Sequence, residues 1–148
     1  PRRAVPAQRW REAAALPFLG GEVILRLDGA RSRAELADGI LYLPLPSEAG
    51  EGRIRDRAEG WLQGEARRLL GERLTLCARR LGLPAPAWRL AFGADMMVAV
   101  DAAGRFRLPW RLVQLAPEEI DRRLLRQLEP LRLRAGAREI WDAAALSA

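Results

Sequence analysis

A helical repeat of apolar residues over residues 51–81 restricts the possible folds of this chain more than any other feature. Apolar side chains recur there at spacings of three and four, which aligns them along one face of an α-helix; they are Ile54, Ala58, Trp61, Leu62, Ala66, Leu69, Leu70, Leu74 and Cys77. Gly60, Gly64 and Gly71 each cost about 1 kcal/mol relative to alanine, so we expect a break or kink. Gly82 is placed to end the helix.

Short apolar runs bounded by turn residues stand on both sides of this helix. Residues 23–27 and 40–43 predict two strands before it, with turns in "DGARSR" and "ADG". The segment "PAWRLAFG" predicts a strand after it. Residues 97–100 and 105–108 predict a hairpin with its turn at residues 101–104. We expect the strands to pair antiparallel.

A second long helix is expected to begin at "APEEID". Pro117 stands near its first position, and Glu118, Glu119 and Asp121 lie in its first turn, where they compensate the positive end of the helix dipole. The same acids could be a metal cluster, but the dipole explains them without a ligand. The predicted buried stripe is Ile120, Leu124, Leu128 and Leu131. Pro130 should kink or end the helix, and a last short helix is expected over residues 137–146.

The 148 residues contain no histidine and one cysteine, Cys77. The sequence therefore excludes a Ser-His-Asp triad, a Cys-His pair, a His-ligated zinc and an intrachain disulfide. Cys77 lies among leucines and is predicted to be a buried structural thiol. We expect no cofactor and no metal. No apolar run reaches the ~20 residues of a membrane span, and a cytoplasmic location is expected.

The net charge of +6 comes from 25 basic residues, all of them arginine, and 19 acidic ones. The absence of lysine and asparagine is typical of a GC-rich genome, which favours a solvated basic surface over nucleic-acid binding. Residues 1–15 are predicted to form a basic N-terminal arm, and residues 16–148 a single domain. The arm is expected to be mobile and to bind a partner through Arg2, Arg3, Arg9 and Arg11.

Several segments match one known family in order and spacing: Trp61 with Ala66 and Arg67 five and six places on, "LGLPAPAWRL", "GRFRLPWRLVQLAPEEID", and Trp141 at the position of a closing F-W pair. In these the chain resembles the YgjP-like zinc metallopeptidases, relatives of the SprT-like zincins. The resemblance covers most of the chain. It implies an α+β, zincin-like (minimal gluzincin-type) domain, with an antiparallel sheet packed on a long helix and a former active-site helix.

The same resemblance implies that the metal chemistry is lost. The family's H-E-L-x-H motif falls on residues 126–130, so that Arg126, Gln127 and Pro130 replace two ligands and the general base. The family's third histidine falls near Gly136, its asparagine before Trp-Arg-Leu falls on Pro109, and its W-G-S-C falls on residues 97–100. Arg126 could close the former cleft by pairing with Glu129 or Asp95, or could point into solvent.

The predicted function is that of a pseudoenzyme. A catalytically inactive metallopeptidase-like domain would act as a structural or binding subunit of a larger assembly, with protein partners. The first alternative is a basic nucleic-acid-associated protein that uses the arm and the arginines of residues 122–138. The second is a hydrolase with a carboxylate-only site, which needs a converging pair of acids that no spacing here requires.

Overall fold

The computed structural model describes the backbone of residues 7–147 and the side chains of residues 7–136. Four strands precede the first long helix and three follow it. The elements in order are β1 (Ala15–Phe18), β2 (Gly21–Leu27), β3 (Glu35–Ala37), β4 (Ile40–Leu43), α1 (Glu51–Arg80), β5 (Trp88–Ala91), β6 (Ala99–Val100), β7 (Phe106–Pro109), a 3₁₀ helix (Trp110–Gln114) and α2 (Pro117–Ser147). The architecture is α+β, as predicted.

The strands form two small sheets, and each contains a parallel pair. The first sheet has the order β1-β2-β4-β3 with β2 parallel to β4; the second has the order β5-β7-β6 with β5 parallel to β7. The prediction of antiparallel pairing throughout is therefore wrong. The reason is that β3 and β6 each form a hairpin with the strand that follows, so β4 and β7 run in the same direction as β2 and β5.

α1 is a single helix of 30 residues, and the expected break at its glycines does not occur. Its buried face repeats every fourth residue from Ile54 to Leu74, and burial of this face outweighs the cost of three glycines. Gly71 also has a packing role, because a Cβ there would lie 3.1 Å from Cζ2 of Trp88 in β5. Gly82, at φ +69°, follows the C-cap residue Leu81, as the sequence predicts.

One hydrophobic cluster joins both sheets to the two helices. The first sheet contributes Leu16, Leu25, Leu41 and Leu43, the second contributes Phe106 and Leu108, and the 3₁₀ helix contributes Trp110 and Leu112. Trp110 is the largest fully buried side chain among the described residues, and Cys77 is buried as predicted. No helix within the described part of the chain is both long and apolar enough to cross a membrane.

α2 continues through Pro130 to Ser147. The helix therefore does not end at Pro130, and a kink there stays a prediction. The prediction of a separate helix over residues 137–146 is wrong. Leu124 and Leu128 are fully buried before the proline, and Leu131 packs partly buried after it. These contacts hold the helix to the core on both sides of the missing backbone hydrogen bond, which explains why one proline does not end it.

The part of the predicted arm that the structure describes lies against the first sheet. The N–H of Ala13 donates to the carbonyl of Leu25 at 2.8 Å, and the N–H of Leu27 donates to the Glu12 carboxylate at 2.6 Å. Trp10 packs partly buried against the core. Arg9 and Arg11 are exposed at this end of the sheet, whereas Arg2 and Arg3 lie outside the described residues.

Candidate functional site

Three of the four predicted former-site residues lie together on the middle of α2. Arg126 and Pro130 are four residues apart and therefore project from the same side of the helix, with Gln127 beside them. Arg126 and Pro130 are exposed, and Gln127 is half-buried. This stretch of α2 borders two cavities. Their opposite walls are formed by the segment before β6 and by the β6–β7 turn.

The larger cavity has a volume of about 660 Å³ and separates α2 from the β6–β7 turn. Gln127 and Pro130 line it from the helix, together with Leu131, Arg134 and Ala135, and residues 100–104 line it from the turn. The cavity is thus bounded by one amide, one guanidinium and one carboxylate among apolar side chains. Few groups in its lining could move a proton.

The carboxylate at this cavity, Asp101, is committed to its own turn. One oxygen accepts from the N–H groups of Ala103 at 2.9 Å and Arg105 at 3.0 Å, and the other accepts from Arg105 Nε at 3.0 Å. The backbone N–H of Arg105, followed by its guanidinium, holds the pKa of Asp101 below its usual range. Asp101 therefore stabilises the predicted turn as a carboxylate and does not resemble a general acid.

The smaller cavity, of about 250 Å³, lies beside the first, and Gln127 lines both. It is lined by Met96, Met97, Val98, Glu119, Arg123, Arg126 and Gln127. Arg123 donates to Glu119 at 3.0 Å and to the carbonyl of Met96 at 3.2 Å. The hydrogen bond from Arg123 is the main reason that the pKa of Glu119 lies below its usual range. This carboxylate, too, is held in its charged form.

Arg126 does not close the cleft in the way the sequence suggested. Asp95 accepts from the N–H of Met97 at 3.0 Å and from Arg107 at 3.5 Å, and Glu129 lies 3.6 Å from Arg132. Both carboxylates that were expected to pair with Arg126 thus have other partners. The exposed Arg126 side chain agrees with the alternative that it points into solvent.

Gly136 is separated from the other three positions. It lies six residues after Pro130 and lines neither of the two cavities, although its neighbour Ala135 lines the larger one. Among the described residues, no atom outside its own turn of α2 lies within 4 Å of the place where its Cβ would be. The structure therefore brings together Arg126, Gln127 and Pro130, but not Gly136.

The walls of these cavities do not suit a zinc ion. Zinc takes imidazole nitrogen, thiolate sulfur or carboxylate oxygen, whereas Arg126 presents a cation, Gln127 a neutral amide and Pro130 no donor atom. Both nearby carboxylates, Asp101 and Glu119, already accept hydrogen bonds from arginines. Among the described residues, no three His, Cys, Asp or Glu side chains converge in a way that could hold a metal.

The acids that open α2 also have partners of their own. Asp121 accepts two hydrogen bonds from Arg73 of α1, from Nε at 2.8 Å and from one terminal nitrogen. Burial, reinforced by the charge of Asp121, raises the pKa of Cys77 to about 11. A buried thiol with a raised pKa forms little thiolate at neutral pH, so Cys77 is a poor candidate for a nucleophile. Arg73, Cys77 and Asp121 form a contact that joins α1 to α2.

Three of the five arginines whose side chains are described on α2 are paired with acids of the same helix. Arg122 and Arg123 both contact Glu119, and Arg132 contacts Glu129. Arg138, the last of the arginines considered for nucleic-acid binding, lies outside the described side chains. The described part of α2 is thus a surface of mixed charge, which is weak support for a nucleic-acid interface.

Replacing Pro130 by alanine is expected to stabilise the protein. A proline in a helix interior costs ~3 kcal/mol, and we expect P130A to recover about 1–2 kcal/mol of this by allowing a hydrogen bond to the Arg126 carbonyl. Pro130 is exposed, so the change leaves no core cavity. Urea denaturation measures the effect, with Ala135→Gly, in the same exposed part of α2, as a control that should destabilise. A loss of stability in P130A would contradict this account.

A second surface was not predicted from the sequence. Trp88 of β5 lies on Gly71 of α1, beside the exposed side chains of Leu76 and Phe92, and Arg67 stacks over the Phe92 ring at 5.8 Å. We call these five residues, with Arg89, the β5 surface. The only signal in the sequence is Gly71, which the helical pattern alone indicates to be a weak point in α1. Its partner could not be identified because Trp88 lies in a strand that follows the helix.

Comparison with known proteins identifies one family. The family described as YgjP-like, metallopeptidase domain, matches residues 2–122. The match includes α1, both sheets and the start of α2, and it ends before Arg126. No curated protein and no solved structure matches the chain at a significant level.

Proposed function

The chain belongs to the YgjP-like metallopeptidase domain family, and we propose that it is a member without peptidase activity that serves as a binding or structural subunit of a larger protein assembly. The observation that carries the proposal is chemical. The 148 residues contain no histidine, and the stretch of α2 that borders the cavities presents Arg126, Gln127 and Pro130. These side chains cannot lower the pKa of a metal-bound water, which is what a zinc hydrolase requires.

The carboxylates beside the cavities support the same proposal. Asp101 and Glu119 line the cavities, and Asp95 precedes Met96, which lines the smaller one. Hydrogen bonds, mainly from backbone N–H groups at Asp95 and Asp101 and from Arg123 at Glu119, hold the pKa values of all three below their usual range. A hydrolase that uses two carboxylates needs one of them protonated near neutral pH, which requires a raised pKa. The alternative of a carboxylate-only hydrolase is therefore less well supported than a binding role.

A nucleic-acid-associated protein is the other alternative. In its favour are the net charge of +6 and the exposed Arg9 and Arg11. Against it, the ion pairs within α2 reduce the charge available to phosphates. An affinity for nucleic acid that falls steeply with salt concentration would favour this alternative. Each phosphate that the protein neutralises makes the plot of log affinity against log salt concentration steeper.

We expect the purified protein to hydrolyse neither a quenched fluorescent peptide library nor casein, with or without added zinc. The variant E129Q should give the same background rate of hydrolysis as the unmodified protein. Glu129 is paired with Arg132, and among the described residues no group of metal ligands lies beside it. A triple variant, R126H with Q127E and P130H, should also stay inactive, since no third ligand is available. Turnover in the unmodified protein that a chelator or E129Q abolishes would contradict the proposal.

A further inference from the structure

Strand β5 has one edge that no described strand pairs with. Within the described part of the chain its only neighbour is β7. The carbonyl of Ala87 accepts from the N–H of Phe106, and the parallel register pairs Arg89 with Arg107. Because peptide groups alternate in direction along a strand, Arg89 bonds towards β7, while Trp88 and Leu90 direct their N–H and C=O groups to the unpaired side. An unpaired row of backbone N–H and C=O groups is a template for the addition of another strand.

A groove follows this edge on the α1 side. Its volume is about 600 Å³, and it is lined by Arg67, Arg68, Gly71, Glu72, Thr75, Leu76 and Trp88. The floor is apolar, because Trp88 lies against the bare backbone of Gly71 and Leu76 is 45% exposed. Phe92, 54% exposed, stands just beyond the end of β5. Trp88 is partly buried, whereas Phe92 and Arg67 are exposed. Accessible tryptophan, phenylalanine and arginine side chains in one place are typical of interface hot spots.

The two faces of the edge differ in chemistry. Trp88 and Leu90 project to the α1 side, and Arg89, between them, projects to the opposite face, where it is exposed. An added strand would therefore place alternate side chains over the apolar groove and beside Arg89. Arg67, at the rim, contacts Phe92 and supplies a second exposed cation. Alternating apolar and acidic residues in the added strand would match both faces.

We propose that the β5 surface binds an extended segment of another protein in which apolar and acidic residues alternate, added as a fourth strand beside β5. Backbone hydrogen bonds from Trp88 and Leu90 would supply affinity, and the groove and Arg89 would supply specificity. The proposal rests on the proposed binding role, but it concerns a surface formed by α1 and β5 and none of the residues that line the α2 cavities.

A second copy of this chain fits the surface less well. Pairing of β5 with β5 of a copy would bring the exposed Arg67 and Arg89 of both copies to one small interface, and like charges there oppose association. Nucleic acid also fits less well. Base stacking needs accessible ring faces, whereas the Trp88 ring is partly covered by Gly71 and the Phe92 ring by Arg67.

The test uses a fluorescein-labelled ten-residue peptide in which valine and glutamate alternate, titrated with the full chain. We expect saturable anisotropy, about tenfold weaker binding for R89E, and weaker binding for F92A and for R67E, which places a carboxylate at the rim of the apolar groove. R57E is the matched control, because Arg57 is also an exposed arginine of α1 but lies outside the groove. It should bind the peptide like the unmodified protein. Amide resonances of residues 88–91 should shift in a ¹⁵N–¹H spectrum.

Several outcomes would overturn the inference. They are equal binding by R89E and R57E, equal binding of a peptide with lysine in place of glutamate, or amide shifts at β6, the other edge of the same sheet, instead of β5. Tighter binding of a single-stranded oligothymidine that R67E weakens would assign the surface to nucleic acid, and a dimer by light scattering that R89E stabilises would assign it to a second copy. Peptide hydrolysis would contradict the proposed function alone and would leave the β5 result unchanged.

Discussion

The variant G20A is expected to lose about 2–4 kcal/mol of unfolding free energy, which would be a large effect for one methyl group. Gly20 has a φ of +81° in the two-residue turn between β1 and β2, a conformation that costs an L-residue about 1–2 kcal/mol. A Cβ there would also lie 2.7 Å from Cβ and 2.8 Å from Cα of Ala116. Because Ala116 directly precedes α2, the clash would push the first sheet away from the start of that helix.

Gly39 provides a matched control for this prediction. It has a φ of +78° in the equivalent two-residue turn between β3 and β4, and among the described residues no atom beyond its chain neighbours lies within 4 Å of its Cβ position. G39A should therefore lose only the conformational part, about 1–2 kcal/mol. Urea denaturation of both variants separates the two terms. Equal losses in G20A and G39A would show that the contact between the β1–β2 turn and Ala116 is not tight.

The variant W110A is expected to lose about 3–5 kcal/mol, the range for removing a large aromatic residue from a core. Trp110 is 2% exposed in the 3₁₀ helix and packs in the cluster that joins α1 to both sheets. Its ring also carries the guanidinium of Arg111 at 4.3 Å, and Arg111 contacts Glu59 of α1 at 3.4 Å. The substitution would therefore create a cavity and remove the ring on which the Arg111 guanidinium packs.

Denaturant unfolding monitored by circular dichroism measures the loss in W110A. The control is F92A, which truncates an aromatic residue that is 54% exposed and should change stability by less than about 1 kcal/mol. If W110A will not fold, W110F retains most of the volume and should lose less than the alanine variant. A loss in W110A no larger than in F92A would contradict the position of Trp110 at the centre of the core.

The elements that depend on local chemistry could be predicted from the sequence. The four-residue spacing from Ile54 to Leu74 gave α1, and the position of Gly82 gave its end. The turn at residues 101–104 followed from Asp101 and Gly104, which the structure shows closing the β6–β7 hairpin. The helical spacing of Arg126 and Pro130 likewise predicted that these two residues lie on one side of α2, whereas their assignment to a former site came from the family resemblance.

The errors concern properties that several elements decide together. Nothing in the alternation of β5 and β7 indicates that they are parallel, because the direction of β7 is set by its hairpin with β6. Pro130 weakens α2 locally, yet Leu128 and Leu131 hold the helix to the core on both sides of it. Trp88 of β5 packs on Gly71 of α1, and the two residues belong to different elements. No local sequence pattern could therefore predict the β5 surface.

Zinc binding tests the central claim most directly, since the claim is that a metallopeptidase-family domain lacks the ligands for its metal. The measurement is zinc content by mass spectrometry after purified protein is loaded with zinc and dialysed against a chelator, with E119Q and D101N as variants of the carboxylates nearest the cavities. The account predicts far less than one zinc per chain, with no difference between the variants and the unmodified protein. One zinc per chain that survives the chelator and is lost in either variant would contradict it.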